Sequence, residues 1–219
     1  GRQVLRLPSG VDVERFRPDA EARSRLRSRY GLGGAPTAVC VSRLVARKGQ
    51  DSLIGAWPRV VERVPGARLV IVGWGPSARR LALLKRRSPV RDSIILTGAV
   101  PPDELPGHVA MGYVFAMPCR TRGGGLDVEG LGIVFLEASA NGLPVIAGTS
   151  GGAPETVEDG VTGDVVDGRD GDALVAALVR QLSDPALRER MGRAGRELME
   201  RRWTWPGLVA GLVEAVDAR

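Results

Sequence analysis

The stretch Gly132-Ile-Val-Phe-Leu-Glu-Ala-Ser-Ala-Asn-Gly-Leu-Pro-Val-Ile-Ala147 contains the pattern on which the fold depends. Residues 133–141 form the longer segment, which predicts a helix ending before a glycine. Residues 143–147 are a short Val/Ile-rich run of the kind that forms a buried strand. The stretch therefore predicts one helix followed by one strand.

The same alternation of short and long segments runs through most of the chain. Short apolar runs predict strands at 37–42, 68–72, 93–97, 113–117, 143–147 and 164–166. Longer amphipathic runs predict helices at 50–64, 77–87, 102–110, 133–141 and 153–159. Strands that are apolar throughout are typical of a sheet covered on both faces. We therefore predict an α/β fold with a doubly wound, mostly parallel, Rossmann-like sheet and helices on both faces.

After residue 168 the pattern changes to helices alone. Segments 170–182, 185–200 and 206–216 predict three helices with no strand between them, and Pro185 suits a first helical position. No Ser/Pro-rich linker and no internal repeat interrupts the chain. The simplest division is therefore one domain followed by a C-terminal helical tail.

The composition excludes several classes of protein. The 219 residues carry a net charge of +6 and contain one histidine, His108. No run of about 18 apolar residues occurs, so no membrane-spanning helix is expected. His108 has no Cys or His neighbour at metal-ligand spacing, so structural zinc is not expected. Cys40 and Cys119 border apolar runs and predict reduced thiols in the core of a cytoplasmic protein.

The positive charge comes almost entirely from arginine, in clusters that mostly fall on predicted helices. Two interpretations are open: solvated helix faces, or a surface attracted to an anionic membrane or a polyanionic ligand. Nucleic acid is not an expected partner, because aromatic residues make up only 4% of the chain and do not interleave with the arginines.

A basic loop follows the first predicted strand. Arg43 and Lys48 flank it, and a predicted helix begins after it. Ligands of doubly wound sheets bind at the carboxyl ends of the strands. A guanidinium and an ammonium at that edge suit a diphosphate. Two alternatives are open: Arg47 is the phosphate ligand, or the loop is an ordinary surface turn.

Two further loops at strand ends are weaker signals. Gly73, Trp74 and Gly75 resemble the opening of a dinucleotide-binding fingerprint, but the acidic residue expected after the next strand is absent. The loop from Thr97 to Val100 exposes backbone groups that suit the edge of a nucleobase. Each loop is also compatible with a purely structural turn.

Two glutamates, Glu129 and Glu137, lie on either side of a predicted helix start. A helix that begins at about Ile133 leaves its first N–H groups without helical partners, and such groups bind phosphate. Eight helical residues span about 12 Å, which matches a diphosphate between two sugars. Paired carboxylates also occur in glycosidases, but the nearby cations favour a bound anion. We therefore predict a nucleotide-sugar site in which the two glutamates accept hydrogen bonds from the hydroxyls of the sugar and the ribose.

Together these motifs resemble the C-terminal, donor-binding half of retaining glycosyltransferases with the two-domain B-type fold. The sequence from Gly125 to Glu137 is especially similar to bacterial phosphatidylinositol mannoside mannosyltransferases, which use GDP-mannose. Five segments carry the resemblance and extend over nearly the whole chain. They are Pro8-Ser-Gly-Val-Asp12, Arg43 with Lys48-Gly49, Gly73-Trp-Gly-Pro76, the pair Glu129/Glu137, and Ser150-Gly-Gly-Ala-Pro-Glu155.

The resemblance implies a role for each matching residue. Arg43 and Lys48 would hold the donor diphosphate, Glu129 would contact the donor sugar, and Glu137 would contact the ribose. Arg43, Lys48 and Glu129 are the implied catalytic residues. The remaining implied donor-binding residues are Gly73, Gly75, Thr97, Val100, Gly132, Ile133 and Val134.

The implied reaction transfers mannose, with retention of configuration, to a phosphatidylinositol mannoside or a similar lipid-linked acceptor. No metal or other cofactor is implied, because two cations and a helix start stabilise the departing nucleotide. We expect a cytoplasmic protein, either free or peripherally bound to the cytoplasmic face of an anionic membrane.

The resemblance also implies a division of the chain. Residues 1–18 would be an extended hinge region, 19–200 the nucleotide-sugar-binding domain, and 201–219 a helix that crosses back to an N-terminal acceptor domain. That domain, which supplies a catalytic histidine that His108 does not match, would lie outside this chain. Trp74 replaces the acidic or polar residue usual in the family. We therefore expect the chain to bind a donor nucleotide and to transfer little or no sugar alone.

Other functions remain open on the sequence. The predicted base-binding loop is mainly backbone, so a UDP-sugar is an alternative donor. A basic module that binds anionic lipid or a protein partner without catalysis is a second alternative. A nicotinamide-binding domain is disfavoured by the missing acidic residue.

Overall fold

A single parallel sheet forms the centre of the molecule. The computed structural model describes residues 7–217; residues 1–6 of the predicted lead-in and 218–219 of the predicted tail lie outside the described residues. The strands are β1 (Thr37–Val41), β2 (Arg68–Val72), β3 (Ile94–Gly98), β4 (Val114–Met117), β5 (Val145–Gly148) and β6 (Gly163–Val166). Their order is β3-β2-β1-β4-β5-β6, and every neighbouring pair is parallel.

Helices cover both faces of this sheet. In the described part of the chain they are α1 (Ala20–Arg29), α2 (Gln50–Arg63), α3 (Ala78–Arg87), α4 (Leu105–Ala110), α5 (Ile133–Ala140), α6 (Gly171–Ser183), α7 (Pro185–Arg202) and α8 (Trp205–Asp217). The contacts α1–α4, α4–α5 and α5–α7 define one layer, and α2–α3 and α2–α6 define the other. The predicted doubly wound sheet is therefore confirmed.

The main core lies between the sheet and these two layers. Trp57, Phe115 and Phe135 are among its largest fully buried side chains, and the rings of Phe115 and Phe135 meet edge to face at 6.0 Å. Every residue of β1, β4 and β5 is buried, which explains why these strands lack polar alternation.

A second apolar cluster joins the lead-in to α5 and to the C-terminal part of α7. Val11 and Phe16 pack with Leu136 of α5, Leu198 of α7 and Trp203. The backbone N–H of Val11 donates to the carbonyl of Trp203 at 2.7 Å. The extended lead-in is therefore docked on the same domain that carries the sheet.

One predicted helix is wrong. Residues 153–159 were expected to be helical, but only a short 3-10 helix, Ala153–Thr156, forms there. The Thr156 hydroxyl donates to the Ala153 carbonyl at 2.7 Å, and Val157 is already extended. The predicted domain boundary at residue 200 also falls inside an element, because α7 continues to Arg202.

Some of the arginines are not solvated. Arg27 is buried and donates to the carbonyls of Gly33, Ala35 and Met111. The guanidinium groups of Arg23, Arg27 and Arg188 lie 4.8–4.9 Å from the centre of the Tyr113 ring. These arginines therefore connect helices to the amino-terminal edge of the sheet.

The two cysteines and the histidine are buried inside the fold. Cys40 and Cys119 are buried and free, as predicted, and burial raises the pKa of Cys40 to about 12. His108 is buried and contacts the Tyr30 hydroxyl at 3.0 Å and the Glu104 carbonyl at 2.8 Å. Such environments suit core residues and disfavour a reactive thiolate.

Candidate donor-binding site

The predicted site residues come from loops at the carboxyl edge of the sheet. The strand order reverses between β1 and β4, which are neighbours at the centre of the sheet. A crevice opens at such a point because the loops that follow the two strands leave in opposite directions. The site is therefore located where a doubly wound sheet binds its ligands.

Two glycines let the loops after β1 and β2 touch. A Cβ atom on Gly73 would lie 2.0 Å from the carbonyl oxygen of Ser42, and one on Gly75 would lie 2.4 Å from that of Leu44. Trp74 lies between these two glycines, and its carbonyl accepts from the Leu44 N–H at 3.0 Å. These close contacts require glycine at both positions and fix the backbone of Trp74.

A third glycine brings the basic loop to the loop that follows β4. Gly49 has φ of +77° and ends the short 3-10 helix Ala46–Lys48. A Cβ at this position would lie 2.1 Å from the carbonyl oxygen of Pro118. The turn therefore holds Lys48 beside the segment that carries Glu129.

Lys48 and Glu129 form a buried ion pair. The Lys48 Nζ lies 2.9 Å from Glu129 Oε1 and 2.8 Å from Oε2, with side-chain exposures of 10% and 6%. Arg47 adds to the cluster, with Nε 3.5 Å from Glu129 Oε2 and Nη1 3.2 Å from Asp127 Oδ1. An ammonium has three donors and a carboxylate about four acceptor positions, so both partners keep capacity for a ligand.

The loop after β5 supports the backbone of Glu129. The Ser150 hydroxyl accepts from the Glu129 N–H at 3.0 Å, and the Gly152 N–H donates to the Gly130 carbonyl at 2.7 Å. A Cβ on Gly151 would lie 1.7 Å from the Glu129 carbonyl oxygen. The Ser-Gly-Gly motif therefore acts as a structural support for the glutamate loop.

Helix α5 begins without a side-chain cap. Its N-cap residue, Gly132, has φ of +80°, and no side chain of residues 7–217 accepts from the first N–H groups. A Cβ on Gly132 would lie 2.6 Å from the ring of Phe135. The uncapped start, with Ile133 and Val134 as first residues, keeps the positive end of the helix dipole available for an anion.

A cavity of about 360 Å³ opens beside this helix start. It contains five of the predicted site residues. They are Arg43, Gly73, Val100, Val134 and Glu137. The other lining residues are Val41, Ser42, Val72, Trp74, Ala99 and Leu105.

Glu137 is a half-buried carboxylate in this cavity. Within the described residues, its carboxylate has no hydrogen-bond or ion-pair partner. Burial raises the pKa of Glu137, and the charge of Arg15 partly opposes that effect. A carboxylate without a partner in a cavity is a ready acceptor for ligand hydroxyls.

The remaining predicted residues lie near the cavity without lining it. Gly75 packs on Leu44, and the Thr97 hydroxyl donates to the neighbouring Gly98 carbonyl at 2.9 Å. Lys48 and Glu129 are paired with each other in the adjacent cluster. Gly132 and Ile133 belong to the start of α5.

Sequence reasoning missed the supporting contacts of Gln50 and the position of Trp74 in the cavity lining. Gln50 is buried and its amide donates to the Ser42 hydroxyl at 2.9 Å and to the Arg43 carbonyl at 3.0 Å, which fixes the backbone of Arg43. Trp74 was noted only as a departure from the family pattern. The sequence signal for Gln50 is a polar residue directly after a glycine, at the start of a predicted helix.

The sequence also matches a known family. The family model described as Glycosyl transferases group 1 matches residues 23–198, which is most of the chain. The chain belongs to the group 1 glycosyltransferases. The resemblance inferred from the motifs is thereby confirmed. The matched segment begins within α1 and ends within α7. It therefore contains the whole sheet, the cavity and the adjacent Lys48–Glu129 pair.

This group 1 chain is 57% identical over 208 residues to a Mycobacterium tuberculosis protein named GDP-mannose-dependent alpha-(1-6)-phosphatidylinositol monomannoside mannosyltransferase. The aligned region covers 95% of this chain and 54% of the relative. The chain therefore spans about half the length of this curated relative.

Two solved structures share the fold. Anabaena Alr3699/HepE in complex with UDP superimposes with a TM-score of 0.84 at 21% identity, covering 96% of this chain and 56% of that one. The C-terminal domain of the group 1 protein LpcC from Francisella tularensis gives 0.76 at 21% identity, covering 90% of this chain and 100% of that one. At these identities the likeness establishes the fold alone.

Neither a membrane-spanning helix nor a metal-binding group occurs among the described residues. No helix in that part of the chain combines the length and apolarity that crossing a membrane requires. No group of three or more His, Cys, Asp or Glu side chains in the same part is arranged to hold a metal ion.

Proposed function

We propose that this chain is the donor-binding half of a retaining glycosyltransferase that takes mannose from GDP-mannose. The observation that carries the proposal is one cavity that joins Arg43 and the start of α5 to the carboxylate of Glu137, which has no partner among the described residues. These groups match a diphosphate and a ribose. The choice of GDP-mannose rests on the name of the M. tuberculosis relative.

The cations and the helix start would act on the diphosphate. Arg43 is exposed and lines the cavity, so its guanidinium can bind two phosphate oxygens. Lys48 holds Glu129 and keeps N–H donors for a third oxygen. When the sugar–phosphate bond breaks, negative charge grows on the departing GDP, and these groups stabilise it without a metal ion.

The two glutamates would have different tasks. Glu137 accepts hydrogen bonds from the ribose hydroxyls, because its carboxylate lines the cavity and has no partner among the described residues. Glu129 positions Lys48 through the buried ion pair and uses its remaining lone pairs for the donor sugar.

The acceptor would be a lipid-linked mannoside held by a protein segment that this chain does not contain, as the length of the M. tuberculosis relative suggests. The chain alone would therefore bind the donor and transfer little or no sugar. Its net charge of +6 favours peripheral association with an anionic membrane surface.

Calorimetric titration of GDP, GDP-mannose and UDP into the folded chain tests the donor. We expect binding of GDP and GDP-mannose without added metal, and no change in affinity with EDTA. Arg43→Ala should weaken GDP binding by about 10- to 100-fold, since a hydrogen bond to a charged group contributes about 1.5–3 kcal/mol. Arg190→Ala, an exposed residue of α7, is the matched control.

The same titration decides between donors. Tighter binding of UDP than of GDP would replace GDP-mannose with a UDP-sugar. Binding of none of the three nucleotides by a folded sample, together with sedimentation on anionic liposomes, would instead favour a non-enzymatic lipid-binding module.

A further inference from the structure

The large aromatic side chain of Trp74 lies at the cavity and is outside both hydrophobic clusters of the described residues. Trp74 is 69% exposed, whereas Trp57 is fully buried and donates its indole N–H to Ser93 at 3.0 Å. Trp203 is also buried, in the second apolar cluster. An exposed indole at the edge of a cavity is a surface that a ligand can cover.

The backbone of Trp74 is nevertheless rigidly placed. Gly73 and Gly75 pack directly on the loop after β1, and the Trp74 carbonyl accepts from the Leu44 N–H at 3.0 Å. The indole is therefore presented from a fixed point of the sheet edge. Little ordering entropy remains to be lost in its backbone when a ligand binds.

The cavity lining combines charged and apolar side chains. Arg43 and Glu137 provide its charged lining. The rest of its lining is dominated by apolar side chains. These are Val41, Val72, Trp74, Ala99, Val100, Leu105 and Val134. If the diphosphate and the ribose occupy the charged groups, the base is the part of the nucleotide left for the apolar surface.

We infer that Trp74 is the stacking surface for the nucleobase and that it selects purine over pyrimidine nucleotides. The inference rests on the proposed function. The apolar side chains that line the cavity with Trp74 cannot donate or accept hydrogen bonds, so their contribution to the choice of base is contact area, beside any edge contact that the backbone of Ala99 and Val100 makes. A bicyclic purine covers more of an indole than a monocyclic pyrimidine, so this contact area favours purines.

Titration of GDP and UDP into the wild type, Trp74→Ala and Trp74→Phe tests the inference. We expect the wild type to prefer GDP. Trp74→Ala should lose about 5- to 150-fold in GDP affinity, the equivalent of about 1–3 kcal/mol of stacking, and less in UDP affinity. The preference for GDP should therefore shrink, and Trp74→Phe should restore part of it.

Trp205→Phe provides a matched control, because Trp205 is a 48% exposed tryptophan on α8 outside the cavity lining. Its nucleotide affinities should equal those of the wild type. GDP should quench tryptophan fluorescence in the wild type and in Trp205→Phe, and much less in Trp74→Phe.

The outcomes separate this inference from the proposed function. Unchanged GDP and UDP affinities in Trp74→Ala, in a wild type that binds GDP, would overturn the role of Trp74 alone. A wild type that prefers UDP would overturn purine selection. A folded wild type that binds neither nucleotide would overturn the proposed function and this inference together.

Discussion

Glu129 and Glu137 are identical side chains in opposite electrostatic environments. The Glu129 side chain is 6% exposed and pairs with Lys48, whereas the half-buried carboxylate of Glu137 has no partner among the described residues. Burial without a partner costs free energy, because the charged form loses water. Glu137 therefore has the character of a group kept for a ligand at the expense of stability.

Glu137→Gln should stabilise the unliganded chain at neutral pH. Burial raises the pKa of Glu137 above its ordinary value of 4.5, so the folded state binds its proton more tightly than the unfolded state. The stabilisation that comes from this tighter proton binding is fully present below pH 4.5. It is lost as the pH rises through the pKa of Glu137 in the folded state. The glutamine variant should therefore melt higher than the wild type at about pH 7, and the difference should vanish near pH 4.

Thermal unfolding at both pH values measures this effect. Glu62→Gln, on an exposed position of α2, is the control for replacing a carboxylate outside the cavity. The same Glu137→Gln sample should bind GDP more weakly. A stability difference that does not change with pH would contradict the assignment of an uncompensated carboxylate.

Lys48→Met should be strongly destabilising because it leaves Glu129 buried without its ammonium. Removing one partner of a buried ion pair costs about 3–5 kcal/mol. The double variant Lys48→Met/Glu129→Leu should recover most of that loss in urea unfolding. Arg59→Met breaks an exposed pair with Asp172, with side-chain exposures of 47% and 86%, and should cost less than about 1 kcal/mol.

Equal stabilities of the single and double variants would contradict this interpretation. They would mean that Lys48 stabilises the fold by packing rather than by its charge on Glu129.

At the scale of elements, glycines determine how closely helices and loops approach. Gly192 in α7 packs against the turn between α5 and β5, where a Cβ would lie 2.0 Å from the carbonyl oxygen of Gly142. A Cβ on Gly55 in α2 would meet no neighbouring atom within 4 Å. A close contact therefore requires glycine at position 192, whereas position 55 has room for a larger side chain.

Gly192→Ala should destabilise the chain by about 1–3 kcal/mol, because α7 must move away from the turn. Gly55→Ala should stabilise it by about 0.5–1 kcal/mol, because alanine favours the helix and meets no obstacle. Urea unfolding of both variants measures the contrast. A stable Gly192→Ala variant would show that α7 is not pressed against the turn.

The sequence predicted the strands better than the short connecting elements. Strands such as β2 and β5 are buried runs of Val and Ile, and local composition alone identifies them. The helix predicted after β5 is wrong because the Thr156 hydroxyl donates to the Ala153 carbonyl and the chain is extended at Val157, so the helix ends after one 3-10 turn. In α1, only Leu26 and Arg27 are buried, so hydrophobic periodicity provides almost no signal.

The candidate site was predictable to a similar extent. Strand ends and the spacing of the glutamates led to Arg43 and Glu137, which do share a cavity. The pairing of Lys48 with Glu129 joins positions 81 residues apart, and no local pattern encodes such a contact. The supporting role of Gln50 likewise depends on the packed structure.

At the scale of the whole molecule, the lead-in and the end of α7 are tied together by one side chain. Arg196 donates from Nη1 to the carbonyls of Val13 at 2.8 Å, Phe16 at 3.0 Å and Ala140 at 2.8 Å. These bonds connect the lead-in, α5 and α7 beside the second apolar cluster. The lead-in is therefore held to the domain through both α5 and α7.

Arg196→Ala should loosen the lead-in without unfolding the sheet. We expect a loss of about 1–3 kcal/mol, since three carbonyls lose a charged donor. Hydrogen exchange should accelerate at the Val11 amide and remain slow in β1. Arg193→Ala, which removes a 64% exposed arginine one turn away in α7, should leave both unchanged. Uniform acceleration in the sheet would instead show that the lead-in is part of the folding core.

The crystal structure of this chain with GDP tests the central claim most directly. We predict that the diphosphate lies within hydrogen-bond distance of Arg43, Lys48 and the first N–H groups of α5. The ribose hydroxyls should contact Glu137, and the guanine should lie against Trp74. A diphosphate bound away from the start of α5, with Glu137 still facing an empty cavity, would contradict the account.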